Sequence, residues 1–158
     1  MKKMTLLFFV LSLSGCATKY QTMGLTGGVD SQQITSDRYR IVARGNGYTS
    51  SVIIQDYVLL KAAETTKSAG ATHFVVLGAN DASSTVVSQT AGYSQTNFVG
   101  RSAFTTYNPG STFSTLKPGQ DVYIQVFKLK PNEAPPVGAT SADEVIKFVS
   151  PRVLRAEE

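Results

Sequence analysis

Few side chains in this chain could do covalent or acid–base chemistry, and the reactive types occur singly. Cys16 is the one thiol and His73 the one imidazole among 158 residues. A thiolate is a good nucleophile toward an alkylating donor, so Cys16 suits covalent modification. A histidine works as a base only beside a nucleophile it can deprotonate. It binds a metal only with several other ligands, and Asp81 alone does not supply them. No Gly-x-Ser-x-Gly, His-Glu-x-x-His or phosphate-binding glycine loop occurs. These observations predict no catalytic residue, no cofactor and no metal, with His73 a structural residue at a strand start. The remaining candidates are ionic. Glu64 continues the helical line Ile53, Tyr57, Leu60, and Arg38, Arg40 and Arg44 share one side of a predicted strand. A carboxylate at a core edge needs hydrogen bonds or a cation, which predicts a structural ion pair, Glu64 with Arg40. Three arginines on one side would also suit an anion. A solvated strand face with carboxylates crossing from a neighbour is the expected reading.

The surroundings of Cys16 show what would modify it. Lys2 and Lys3 precede an apolar run from Met4 to Leu13, and Leu13-Ser14-Gly15-Cys16 follows. A charged start, a short apolar stretch and small residues form the layout of a secretory signal. About ten apolar residues are too few to span a bilayer, which takes roughly 20. The ending resembles the lipobox of bacterial lipoproteins. That resemblance implies transfer of diacylglycerol to the Cys16 thiol, cleavage before Cys16 and acylation of the new amine. Each buried methylene contributes about 0.8 kcal/mol, so several acyl chains hold firmly. Ala17, rather than Asp, follows Cys16. In such lipoproteins this implies export to the outer membrane, with the domain facing the periplasm.

Composition narrows the rest. Removal of 15 residues leaves 143, one domain large enough for a core without disulfides. Basic residues then number 13 against 11 acidic ones, and they do not cluster, which excludes a nucleic-acid partner. Residues 16–36 are polar and glycine-bearing and read as a tether, with Tyr20, Met23 and Leu25 the candidates for packing part of it onto the fold. Residues 37–44 alternate, with Tyr39, Ile41 and Ala43 on one face, and predict a strand. Gly45-Asn46-Gly47 ends it. Thr49, Ser50 or Ser51 caps a helix from Val52 to Ala69, with an apolar stripe of Ile53, Tyr57, Leu60 and Ala63 and a stop at Gly70.

Residues 72–79 are β-branched and aromatic and predict a central strand. Residues 82–117 contain 14 Ser or Thr and only two charges, Arg101 and Lys117. Tyr93, Phe98, Phe104, Tyr107 and Phe113 are spread among them. This predicts a long hairpin lying over the sheet. Tyr93, Phe104 and Tyr107 are its candidate contacts for a partner or, since polar-aromatic surfaces stack on sugars, a glycan. Residues 121–129 alternate again, with both faces expected to be covered. Ser141 and Glu144 form a capping box for a short helix through about Val149, and Pro151 opens a polar tail over 151–158.

Several pieces together resemble a family of small lipoproteins of Gram-negative bacteria. They are Tyr20-Gln21 with Gly27-Gly28, Gly45-Asn46-Gly47-Tyr48-Thr49, Leu60-Lys61-Ala62-Ala63-Glu64 and His73-Phe74-Val75, over roughly residues 16–80. The family commonly has Arg where Lys61 stands. Residues 82–117 have no counterpart in it. The resemblance implies an envelope lipoprotein and assigns no activity.

The expected fold is α+β, a mostly antiparallel sheet with one main packed helix and a short C-terminal helix. Residues 37–150 form its single domain. The expected function is a lipid-anchored, non-catalytic structural or interaction module of the envelope. Its partners would be outer-membrane lipid through Cys16 and an envelope protein or glycan. A periplasmic glycan or small-ligand binding module is the alternative.

Overall fold

The computed structural model describes residues 17–130 and 132–156. Cys16 and the signal-like segment before it lie outside them. The fold is α+β. Strands β1 (Gly28–Gln33), β2 (Arg38–Arg44), β3 (His73–Asp81), β8 (Gly119–Phe127) and β9 (Thr140–Ser141) form one sheet in the order β1-β2-β8-β3-β9. Every pairing in it is antiparallel. Helix α1 (Ser51–Ser68) covers one face and packs beside helix α2 (Ala142–Val149).

The alternation of β2 decides which face is buried. Ile41 and Ala43 are fully buried toward α1, with Val122, Ile124 and Val126 of β8 beside them. From α1, Ile54, Tyr57, Val58, Leu60, Ala62 and Ala63 close the core. The helix begins where expected, with the Ser50 side chain accepting from the Ile53 N–H. Helix α2 starts on the predicted capping serine, whose Oγ accepts the Glu144 N–H. One helix stripe on one sheet face is a stable two-layer arrangement.

Several boundaries differ from expectation. The segment read as a tether is built into the fold. Thr18 is buried, Tyr20 is in the core, and β1 is an edge strand of the sheet. The glycines that suggested a tether instead let the backbone turn sharply before β1. The polar tail is also tied down. A one-turn 3-10 helix over Ser150–Arg152 leads to buried Val153, and the Tyr20 and Leu154–Ala156 backbones exchange hydrogen bonds. β8 is the central strand rather than β3. Val75 is half-buried, and β3 is exposed from Val76 to Asp81.

The largest departure is in residues 82–117. They form four strands, β4 (Ser84–Gln89), β5 (Tyr93–Val99), β6 (Ser102–Asn108) and β7 (Thr112–Lys117). β4 pairs with β7 and β5 with β6, so together they make one two-stranded arm continuing β3 and β8. The arm does not lie over the sheet. Every residue of β5 and β6 is exposed, and in β4 and β7 only Ser88 and Thr115 are half-buried. The strands turn at Gly100-Arg101, a two-residue loop suited to a hairpin. Midway, Thr90 and Ser111 join the two sides by a 2.9 Å backbone hydrogen bond. There Gly110 has φ +74°, and a Cβ on it would stand 2.3 Å from the Thr90 carbonyl oxygen, so the crossing requires glycine.

Candidate functional site

The arm gathers most of the exposed aromatic surface. Antiparallel register places directly opposed residues on one face. Tyr93, Asn97 with its partner Phe104, and Val99 therefore share a face. Phe98 and Tyr107 share the other, where Thr96 and Thr105 also meet through their hydroxyls at 2.8 Å. The three expected contact residues are thus divided, Tyr93 and Phe104 on one side and Tyr107 on the other. A single sugar ring cannot stack on Tyr93 and Tyr107 together. Phe98 and Val99, the two large apolar residues nearest the tip, complete the surface and were not singled out as contacts from sequence. Their signal was available, since they immediately precede the Gly100-Arg101 turn.

No acidic residue lies between Asp81 and Asp121. Arg101 at the tip and Lys117 at the root are the arm's only charges. A two-stranded ribbon alone is marginal in water, and its unpaired edges are templates for contact.

The root of the arm is held by the turn after β2. Gly45 donates its N–H to the Pro118 carbonyl at 2.7 Å. Gly47 sits against Thr115 of β7, where a Cβ would come 2.2 Å from the Thr115 methyl. The same turn grips the start of the described chain. Thr18 accepts the Asn46 N–H at 2.9 Å and donates its own N–H to Thr49 Oγ1 at 2.9 Å. The Tyr57 hydroxyl caps the Thr18 carbonyl at 2.6 Å. A cleft of about 220 Å³ between the Met23–Gly27 turn and Ser84, Lys117 and Pro118 lies at this end, with Leu25 fully exposed on its rim.

The ionic candidates resolve into two clusters on opposite faces of the sheet. Arg40 and Arg44 both bind Asp121 of β8, Arg44 at 2.7 Å. Burial pushes the Asp121 carboxyl up, but the hydrogen bonds and charges of Arg44 and Arg40 outweigh it and hold it below the usual range. This is a carboxylate crossing from the neighbouring strand. The arginine strip therefore carries a partner, although Arg40 Nε is buried without one. Glu64 does not pair with Arg40. Strand alternation turns Arg40 away from α1, so Glu64 binds Arg155 at 2.8 Å and accepts the Tyr20 hydroxyl at 2.5 Å. Burial, then the hydrogen bond and charge of Glu64, drive the Tyr20 hydroxyl far above its ordinary pKa, with Arg155 opposing. The Arg155 guanidinium also lies 5.1 Å over the Tyr20 ring. This cluster locks the two ends of the fold to α1.

His73 is half-buried at the start of β3, with Nδ1 3.0 Å from Thr72 Oγ1. Among the described residues, no helix is long and apolar enough to cross a membrane. No family model matches the chain, and no curated protein or solved structure is significantly similar to it.

Proposed function

We propose that this protein is a lipid-anchored, non-catalytic interaction module of the bacterial envelope, held at the outer membrane through Cys16 and facing the periplasm. The observation that carries the interaction reading is the arm. A ribbon of about 16 residues a side reaches roughly 50 Å at strand spacing. It exposes aromatic side chains on both faces and gives the core nothing in return. Large exposed apolar surfaces on soluble domains mark contact sites. The anchor reading rests on the Leu-Ser-Gly-Cys sequence and the lone thiol. The divided positions of Tyr93 and Tyr107 weigh against the glycan-stacking alternative in its simplest form.

The test is photo-crosslinking in cells from a benzoylphenylalanine replacing Phe104, with Cys16→Ser as the unanchored control. The expected result is one discrete adduct that is weaker in the control. Absence of any adduct from this position in the anchored protein would defeat the arm as a contact element.

A further inference from the structure

We infer that the arm docks on the lipid surface to which Cys16 is attached, lying in its interfacial zone with the Phe98, Val99 and Phe104 end inserted among headgroups. The inference rests on the anchor proposed above and identifies what the arm touches.

The position of the anchor makes the first argument. Thr18 is fixed by the turn that also holds the arm root, through Asn46 and Thr49 on one side and Gly47 against Thr115 on the other. Only Ala17 separates Cys16 from Thr18, a reach of at most about 7 Å. No long tether intervenes, so acyl chains on Cys16 bring this end of the domain, and with it the root of the arm, to the membrane. Leu25 is fully exposed beside the root, and Tyr48 is exposed on the turn itself.

Charge makes the second. With Arg101 and Lys117 and no carboxylate from residue 82 to residue 120, the arm complements an anionic lipid surface. Its side chains make the third. Tyr and Phe among Ser and Thr suit the interface, where one part of a side chain is apolar and its surroundings wet. The mixed faces also set the depth. Unpaired strand edges and Asn, Gln and Thr side chains cannot enter hydrocarbon unsatisfied. The arm therefore lies in the interface rather than spanning the bilayer.

The experiment uses a chain beginning at Ala17, which keeps every residue of the core described above and carries neither signal nor lipid. It is floated with phosphatidylethanolamine vesicles containing phosphatidylglycerol, and with neutral phosphatidylcholine vesicles. The expected result is binding to the anionic vesicles that weakens with salt. Phe98→Ser with Phe104→Ser should reduce that binding about tenfold or more. Arg101→Ser should reduce it about fivefold on anionic vesicles and leave neutral ones unchanged. All these side chains are exposed, so unchanged thermal unfolding will verify the folds of the variants. No vesicle binding, or binding that the double phenylalanine variant retains, overturns the inference. So does a dimer without vesicles that the same variant abolishes, which would make a second copy the occupant. A Phe104 adduct solely with protein or glycan overturns it as well. The mass of the protein recovered from cells reads the anchor separately. An unmodified Cys16 would defeat the anchor while the vesicle result still reports on the arm.

Discussion

β2 and β5 are both seven-residue strands, and they live in different worlds. β2 is paired on both edges and covered by α1, with Ile41 and Ala43 sealed from solvent. β5 has one partner, and all seven of its residues are exposed. β2 keeps its three arginines on one face, with Val42, and Tyr39, Ile41 and Ala43 on the other, whereas β5 mixes polar and apolar side chains on both faces. The comparison teaches that strand propensity and burial are separate properties. The body's strands are selected by the core they close. The arm's strands are selected by cross-strand pairing and by whatever they touch.

That contrast can be broken most directly in the body. Phe74 is 1% exposed, and Phe74→Ala should cost about 3–5 kcal/mol of unfolding free energy through lost burial and a cavity. Urea unfolding measures it, and a cost below about 1 kcal/mol would mean the sheet–helix core is not packed as described.

A smaller effect is expected on the body's solvent-facing side. Asp121→Asn removes the carboxylate shared by Arg40 and Arg44 and should cost about 1–2 kcal/mol at neutral pH, limited by the exposure of the arginines. The Asp121 carboxyl is held below its usual pKa. Its contribution is therefore complete above the unfolded-state value near 4 and is lost as the pH falls through the folded-state value. Thermal unfolding across acid pH should show wild type and Asp121→Asn converging as the pH drops. Parallel curves would mean that Asp121 is not the group titrating.

The smallest effect sharpens the comparison. Phe104→Ala in the arm should change unfolding free energy by less than about 0.5 kcal/mol, while altering the contacts tested above. A core-sized loss in the same urea titration would show that the arm folds back onto the body.

Much of the body was legible in the chain. The Ser50 cap and Gly70 stop bracket α1, and Ser141 with Glu144 marks α2, because caps satisfy backbone groups locally. Period-two alternation located β2 and β8 and sorted their faces. The choice of partner for Glu64 was not legible. It depends on which strand face α1 covers and on Arg155, 91 residues away. How far the tether and the polar tail are built into the fold was not legible for the same reason. Their order comes from Tyr20 meeting Glu64 and Arg155, a meeting that local composition does not record.

The sequence by itself determined helices α1 and α2 with their caps, strands β2 and β8 with their buried faces, the lone thiol after an apolar start and an aromatic stretch without acidic residues. All of these follow from near-neighbour chemistry and periodicity. Only the tertiary structure decided that the stretch projects from the sheet, that Tyr93 and Tyr107 face apart, and that the arm root and Thr18 share one turn. Those relations are set by strand register and long-range packing, which bring together residues that no local pattern connects.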